Sequence, residues 1–139
     1  MKFVFSTEKE HEEFLGKGLN GFNGRFSANI IPYENKKDFG FYAYDGEQLV
    51  GGICGNTDMG NWLHVELLYV DGLYRGKDVG TGLMCKAEEF AKENGCVGIH
   101  LKTWSWQARG FYEKMGFTVF GQLEDHPPGE VNYYLKKKF

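Results

Sequence analysis

Three short runs in the middle of the chain predict three neighbouring strands. They cover residues 39–44, 48–55 and 62–70, and turn-forming residues bound each of them. The first two runs are joined by Asp45-Gly46, a dipeptide typical of a tight hairpin turn. Strands that are joined by short turns pair antiparallel, so we expect an antiparallel meander here.

Helical periodicity begins after the third strand and returns further along the chain. The apolar residues of the first helix lie on one face, and Gly95 follows where a C-terminal helix glycine belongs. These residues are Leu83, Met84, Ala87, Phe90 and Ala91. A strand at 97–103 comes next, so a strand–helix–strand crossover predicts one parallel pair. A helix capped by Ser105 and two strands at 117–123 and 131–135 complete this half.

The first 38 residues carry weaker signals. Residues 2–5 predict a short strand, and the capping-box sequence from Thr7 to Glu10 predicts a helix that begins near Glu8. Four glycines between residues 16 and 24 predict that this helix frays into a loop and a second short helix. We expect one α/β domain over residues 1–139, with a mixed, mostly antiparallel sheet flanked by helices.

Composition places the chain among ordinary soluble globular proteins and excludes some partners. Hydrophobic residues make up 42% and charged residues 25% of the 139 residues, and the net charge of −3 argues against nucleic acid as a partner. We expect no membrane association, because the chain has no long apolar run. The sequence leaves open whether the 23 aromatic residues line a site or a homodimer interface.

Cysteine and histidine usage predicts a cytoplasmic protein without a metal. Three cysteines show no paired spacing, and the sequence starts without the pattern of a signal peptide. The four histidines are scattered without the spacing of metal ligands. We therefore predict reduced cysteines and no metal site.

A basic, glycine-rich turn lies between the third strand and the long helix. It includes Arg75, Lys77 and the glycines at 76, 80 and 82. The first turn of a helix presents unpaired N–H groups and the positive end of the helix dipole, so this turn is suited to bind a phosphate. The sequence fits neither the Walker A loop, because Asp78 follows Lys77, nor the dinucleotide fingerprint, because the glycine spacing differs.

The turn instead resembles the acetyl-CoA pyrophosphate loop of the GNAT superfamily of N-acetyltransferases. The match is Arg-x-x-Gly-x-Gly after a strand that ends in Tyr-Val, although Asp78 replaces the first glycine. A second stretch, Ala108-x-x-x-Tyr112-Glu113-Lys114-x-Gly116-Phe117, is similar to the second signature of that family. The resemblance implies the GNAT fold, with acetyl-CoA between the two parallel strands and the N-terminal region over the acceptor.

The resemblance also implies which residues hold acetyl-CoA as co-substrate. Backbone groups of Leu68 and Val70 are expected to bind the pantetheine arm as an added strand would. The pyrophosphate is expected on the loop that comprises Arg75, Gly76, Lys77, Asp78, Val79, Gly80, Thr81 and Gly82. Ser105 occupies the position of a pantetheine-binding Asn of the family, and Ala108 opens the second signature.

Two residues are candidates for proton transfer. Glu66 is the only acid between His64 and Val70, so it is the candidate base that frees the amine from its proton; a plain surface carboxylate is the alternative. Tyr112 matches the family tyrosine that protonates the departing thiolate; a core aromatic is the alternative. Trp104 and Trp106 are expected either in the acceptor pocket or in packing.

These features favour an enzyme that transfers an acetyl group to a primary amine of a small molecule or peptide, in a ternary complex. The acidic chain favours a cationic small amine. An acyl-CoA-binding or sensing module without turnover is the alternative, and Asp78 favours it because a carboxylate near a pyrophosphate weakens binding. A purely structural dimerisation domain would leave the basic glycine loop unexplained.

Overall fold

The computed structural model describes all residues, Met1–Phe139, and is built around one six-stranded sheet. The strands are β1 (Asp38–Asp45), β2 (Gln48–Thr57), β3 (Leu63–Val70), β4 (Gly98–Trp104), β5 (Thr118–Glu124) and β6 (Val131–Lys138). Their order in the sheet is β1-β2-β3-β4-β6-β5, and only β3 and β4 run parallel. The predicted mixed α/β fold with one central parallel pair is therefore confirmed.

Three helices accompany the sheet: α1 (Lys9–Asn23), α2 (Val79–Glu93) and α3 (Arg109–Lys114). The buried face of α2 packs on the sheet, where Leu83, Met84, Ala87 and Ala91 join a core of strand residues such as Leu63, Val65, Ile99, Leu101 and Leu135. Because strand side chains alternate between the two faces, the residues between these core positions point to the opposite face, called the outer face below. No helix has the length and apolar character that a bilayer span requires.

The N-terminal region differs from the prediction in three ways. Residues 2–5 form no strand, because no neighbouring strand pairs with them. The Thr7 capping box does not form, and Glu8 is the N-cap without a side-chain bond. The helix α1 is continuous through its glycines rather than frayed, and it packs mainly on a 3-10 turn at Tyr33–Asn35. The expected cover over the acceptor side is therefore not supplied by α1 of the same chain.

The boundaries near the end of the chain also differ from the prediction. The last helix begins at Arg109 with Ala108 as N-cap, so Ser105 does not cap it. Instead, the Ser105 hydroxyl donates a hydrogen bond to Glu130 at 2.7 Å. The strand β6 continues through the lysine run to Lys138, three residues beyond the predicted end.

Candidate functional site

The parallel strands β3 and β4 separate after only three rungs. Leu63 pairs with Ile99, His64 with His100 and Val65 with Leu101, and no further rung follows. Beyond Val65 the remaining residues of β3 pair only with β2, and the end of β4 pairs only with β6. The strands thus leave a V-shaped gap, and its apex lies at the Val65–Leu101 rung.

A β-bulge in β3 accompanies the separation. Cys54 of β2 pairs with Leu67 and Gly55 pairs with Val65, so Glu66 is the additional residue. A Cβ atom on Gly55 would overlap the carbonyl oxygen of His64, so only glycine fits opposite the bulge. A bulge bends its strand and increases the local twist. Because the rungs with β4 end where the bulge begins, we attribute the gap to this bend.

The gap exposes backbone groups of Leu68 and Val70. The Asp71 N–H donates to the Val50 carbonyl of β2 at 2.8 Å, and backbone groups alternate in direction along a strand. Tyr69 therefore faces β2, while the N–H and C=O groups of Leu68 and Val70 face the gap. These are the two residues that we predicted to bind an extended arm, and their polar groups have no strand partner on that side.

The loop at the open end of the gap leads directly into α2. Gly76 and Asp78 both have positive φ angles, 73° and 62°, so Asp78 adopts the left-handed conformation that a glycine would take. The first helical hydrogen bond joins the Gly82 N–H to the Asp78 carbonyl at 3.0 Å. The N–H groups of residues 79–81 therefore lack helical partners, and such groups at the positive end of a helix dipole can bind an anion.

The cations of the loop are held by neighbouring groups. The Arg75 Nε–H donates to the Val70 carbonyl at 3.0 Å, which places its guanidinium at the mouth of the gap. The Lys77 ammonium lies 5.5 Å from the ring centroid of Tyr74. The Tyr74 hydroxyl in turn donates to Asp45 at 2.6 Å, so the loop is anchored to the β1–β2 hairpin.

The helix α3 brings Tyr112 and Phe111 against the inner side of the gap. A Cβ atom on Gly80 would lie 3.4 Å from the Phe111 ring and 3.8 Å from Val70, so the α2 loop, α3 and the end of β3 meet there. Tyr112 is buried at 7% exposure, beside Phe111 and Phe117. Burial raises the pKa of the Tyr112 phenol to about 12, so the phenol stays protonated at neutral pH.

Ser105 and Ala108 lie in the exposed turn between β4 and α3. The bond from Ser105 to Glu130 engages the only donor of its hydroxyl, so Ser105 can meet a ligand only as an acceptor unless that bond breaks. Of the predicted residues, the structure thus brings together Val70 and Gly80, and Phe111 joins them to the helix that also carries Tyr112. It does not place Ser105 in a free donor position.

Sequence reasoning missed a histidine pair at the apex of the gap. His64 and His100 are partners across the β3–β4 rung, and their rings stack with centroids 5.0 Å apart on the outer face. Burial, and then the nearby His100 and Lys102, lower the pKa of His64, although Glu66 and Asp58 act in the opposite direction. His64 is therefore a neutral imidazole at neutral pH, two residues before Glu66.

The second histidine is held by a carboxylate. His100 Nε2 lies 2.7 Å from Asp58 Oδ2, and Asp58 Oδ1 accepts from the backbone N–H groups of Gly60 and Trp62. Burial raises the pKa of Asp58, but the bonds from His100 and Trp62 outweigh burial and bring that pKa below its ordinary value. Asp58 is thus an anion that fixes the His100 ring. Only the register of β3 and β4 brings these histidines together, because they are 36 positions apart in the sequence.

Two tryptophans stack at the end of β4, beyond the apex of the gap. The rings of Trp104 and Trp106 are almost parallel, with centroids 5.3 Å apart, and the Trp104 indole N–H donates to the His126 carbonyl at 2.7 Å. Asn132 pairs with Trp104 across the sheet, and its Oδ1 is the only buried side-chain oxygen or nitrogen without a hydrogen-bond partner. This side therefore offers an aromatic surface and an unused acceptor.

Comparison with known proteins agrees with this geometry. The sequence model of the acetyltransferase (GNAT) family matches residues 8–117. The chain belongs to the GNAT family of acetyltransferases. It is 40% identical over 92 residues to the blasticidin-S acetyltransferase of Streptomyces morookaense, and the alignment covers 66% of this chain and 67% of that protein.

Solved structures extend the comparison to the whole fold. A Bacillus cereus acetyltransferase superposes with a TM-score of 0.82 at 27% identity, over 100% of this chain and 99% of the other. A Bacillus anthracis protein described as a streptothricin acetyltransferase was solved in complex with acetyl coenzyme A. It superposes with a TM-score of 0.69 at 31% identity, over 77% of this chain and 66% of that one. This GNAT protein is therefore an N-acetyltransferase enzyme.

We predict that His64 of this GNAT protein titrates below the value of about 6.5 for a free imidazole. Replacing His100 with Phe keeps an aromatic ring on His64 and removes a neighbour that lowers the pKa of His64 electrostatically, so this pKa should rise. Because folding lowers this pKa, protonation of His64 opposes folding, and stability should fall as the pH drops below about 6.5.

Proton and carbon NMR of the histidine ring, recorded across that pH range, measures both values. His126→Gln is the matched control, since it removes a histidine that is not a partner of His64 and should leave the titration unchanged. An unshifted His64 in the wild type, or an unchanged value in His100→Phe, would contradict the assignment.

Proposed function

We propose that this enzyme transfers the acetyl group of acetyl-CoA to a primary amine in a ternary complex of both substrates with the protein. The observation that carries the proposal is the gap between β3 and β4, which has backbone groups without a strand partner along one wall and a helix N-terminus at its open end. A long ligand with a phosphate group near one end and a linear arm fits such a site. Acetyl-CoA has this form and supplies the acetyl thioester.

The residues present suit each part of that ligand. The unpaired N–H groups of residues 79–81 and the side chains of Arg75 and Lys77 would hold the pyrophosphate. The backbone of Leu68 and Val70 would bind the arm by strand addition. An arm that follows β3 away from the loop ends at the apex, between Tyr112 on the inner side and Glu66 on the outer side.

The outer face at the apex is suited to receive an amine and remove its proton. An alkyl amine has a pKa near about 10, so it must lose a proton before it can attack. The exposed Glu66 carboxylate attracts the ammonium group. His64, two residues earlier, is a neutral imidazole that can accept a proton. We propose that Glu66 takes part in proton removal directly or through water, and that His64 is the imidazole to which the proton passes.

Tyr112 is suited to the opposite transfer. Its phenol carries a proton at neutral pH, and we propose that it donates this proton to the departing thiolate, whose conjugate acid has a pKa near about 8.5. The two proposed proton-transfer groups thus lie on opposite faces of the sheet. This separation lets one group accept a proton while the other still holds its own.

We propose a small cationic amine as the acceptor. Glu66 supplies a negative charge beside the apex, and Trp104 and Trp106 supply an aromatic surface on which a cation or a ring can stack. The relatives named for blasticidin S and streptothricin support a small molecule in preference to a peptide. An acyl-CoA-binding module without turnover remains the second candidate, because Asp78 places a carboxylate at the phosphate loop.

The first prediction of this proposal concerns the loop. Asp78 makes no side-chain capping bond, so Asp78→Asn removes the charge and keeps a residue that tolerates positive φ. It should bind acetyl-CoA up to about 5-fold more tightly, since the interaction of two exposed charges contributes up to about 1 kcal/mol and the repulsion of the phosphate by Asp78 is removed. Gly80→Glu should abolish binding, because its side chain meets Phe111 and adds a negative charge.

Calorimetry gives the affinities, and thermal shift gives a second measure. Acetyl-CoA at about 100 Kd should stabilise the wild type by about 2.7 kcal/mol. Lys114→Gln, at the far end of α3, is the control and should bind as the wild type does. A wild type without any shift, or a Gly80→Glu variant with an equal shift, would remove the loop from the binding site.

The second prediction concerns turnover. Tyr112→Phe keeps the buried ring and removes the proton, so kcat should fall by about 10²-fold with acetyl-CoA affinity unchanged. Glu66→Gln should lower kcat/KM for the amine by a similar factor, because it acts on the other substrate. Steady-state kinetics with a panel of amines measures both. A Tyr112→Phe variant with full kcat under rate-limiting chemistry would return Tyr112 to a packing role, and acetyl-CoA binding without any turnover would favour the second candidate.

A further inference from the structure

The apolar side of α1 is bare. Phe14, Leu15, Leu19 and Phe22 lie along one side of the helix, and we call these four residues the α1 stripe. Their exposures are 75%, 61%, 52% and 58%. Most of the stability of a helix in a protein comes from packing of its apolar face. The α1 stripe therefore lacks a partner that this amphipathic helix requires.

Another side of α1 is held in place by Tyr33, so the helix is not free to rotate about its axis and bury the stripe. Gly16 packs against the Tyr33 ring so closely that a Cβ atom would lie 2.8 Å from it. The Tyr33 hydroxyl donates to Glu12 at 2.6 Å, and the Tyr33 N–H donates to the Asn20 side chain at 2.8 Å. These contacts hold α1 on the 3-10 turn with its stripe facing away from that turn.

The outer face of the sheet is bare as well. Over β1, β2 and β3 it carries Tyr42, Tyr44, Leu49, Leu67 and Tyr69, each between 54% and 64% exposed. Several of them surround a shallow depression of about 320 Å³. A sheet face that meets water normally carries polar residues, and an exposed apolar surface of this extent marks an interaction site.

The two bare surfaces carry opposite charge beside their apolar parts. The beginning of α1 is net acidic, since Glu8, Glu10 and Glu13 outnumber Lys9, while Glu12 is engaged by Tyr33. The outer face over β4 and β6 is basic, with Lys102, Lys136 and Lys138, all of them exposed. The helix thus matches the outer face in both respects, with an apolar stripe for the apolar half and acids for the basic half.

We propose that the outer face binds α1 of a second copy of this chain in a symmetric dimer. Each copy has one stripe and one outer face, so a two-fold exchange covers both surfaces in both copies. Aromatic side chains bury about 150–250 Å² each when fully covered, and the nine side chains of the two surfaces still have 52% to 75% of their area exposed. The stripe and its target in two copies therefore remove on the order of 2,000 Å² from water, which reaches the range of obligate homodimers.

The exchange also completes the acceptor side of the active site, a statement that rests on the proposed function. Glu66, His64 and Trp104 lie on the outer face, where Glu66 is exposed and His64 and Trp104 are only partly buried by their own chain. A helix of the partner copy across this face forms the missing wall of the amine pocket. The acetyl-CoA loop lies at the α2 end of the gap and is complete within one chain.

The test begins with the mass in solution. Light scattering during gel filtration should give twice the chain mass of 15.9 kDa for the wild type. Phe14→Gln combined with Phe22→Gln should give the single mass, because it removes half of the α1 stripe. Both side chains are exposed in one copy, so the double variant should fold as the wild type does. Val97→Gln, an exposed apolar residue elsewhere, is the matched control and should remain a dimer.

Cross-linking separates exchange between copies from folding of α1 onto its own sheet. A lysine-reactive reagent is applied to an equilibrated mixture of unlabelled and ¹⁵N-labelled protein. Links from Lys9 or Lys17 of α1 to Lys102 or Lys136 should appear as mixed-isotope peptides. A single-chain mass, same-isotope links alone, or a dimer that survives the double variant would each overturn the proposal.

Activity then tests the shared pocket. The double variant should keep the thermal shift with acetyl-CoA and lose at least about 10-fold in kcat/KM for the amine, since it loses a wall that positions the acceptor. Full amine turnover in a monomeric variant would overturn the shared pocket and leave the dimer standing. If the wild type acetylates no amine at all, the proposed function fails, while mass and cross-links still decide the dimer.

Discussion

The candidate site depends on the β-bulge at Glu66. Gly55 lets the backbone of β2 approach the bulged strand, and no side chain fits at that position. The bend that follows ends the pairing of β3 with β4 after three rungs. Without it, Leu68 and Val70 would complete the ladder with β4 and would have no backbone groups to offer a ligand. The proposed function thus depends on backbone groups of Leu68 and Val70 that have no strand partner.

Other parts of the site take their places from this gap. The chain leaves β3 at its open end, and Asp78 in left-handed conformation turns the backbone into α2, so the N-terminus of that helix faces the gap. The crossover returns the chain to β4, and α3 then lies beside the first turn of α2 through Phe111 and Gly80. The register that ends at the apex also pairs His64 with His100. The first turn of α2 and the Phe111 side of α3 therefore lie along the gap, and a neutral imidazole lies at its apex.

Much of this could be predicted from local sequence patterns. The turn signals and the helical spacing of α2 predicted the meander, the crossover and the glycine-rich turn into α2, because these depend on neighbouring residues. The histidine pair could not be predicted in this way, since it depends on the register of two strands that are distant in sequence. The bare α1 stripe was missed for a similar reason. Amphipathic spacing shows which face of a helix is apolar, but it does not show what covers that face.

The wrong predictions have the same origin. Residues 2–5 have strand-like composition but no neighbouring strand, and a strand needs hydrogen bonds to a partner. The Ser105 cap failed because Glu130, 25 residues later, competes for its hydroxyl. The glycines of α1 predicted a break, yet Gly16 is where the helix packs on Tyr33. In each case a contact between distant residues outweighed the local preference.

The most direct test of this account is amide hydrogen exchange at the end of β3, followed by NMR with and without acetyl-CoA. In the free protein the N–H groups of Leu68 and Val70 face the gap, whereas those of Tyr69 and Asp71 face β2. Saturating acetyl-CoA should slow exchange at Leu68 and Val70 by about 5-fold or more, since a new hydrogen-bond partner adds about 1 kcal/mol or more of protection. Tyr69 and Asp71 should change less. Unchanged exchange at Leu68 and Val70 in protein that binds acetyl-CoA would show that the gap is not where the arm lies.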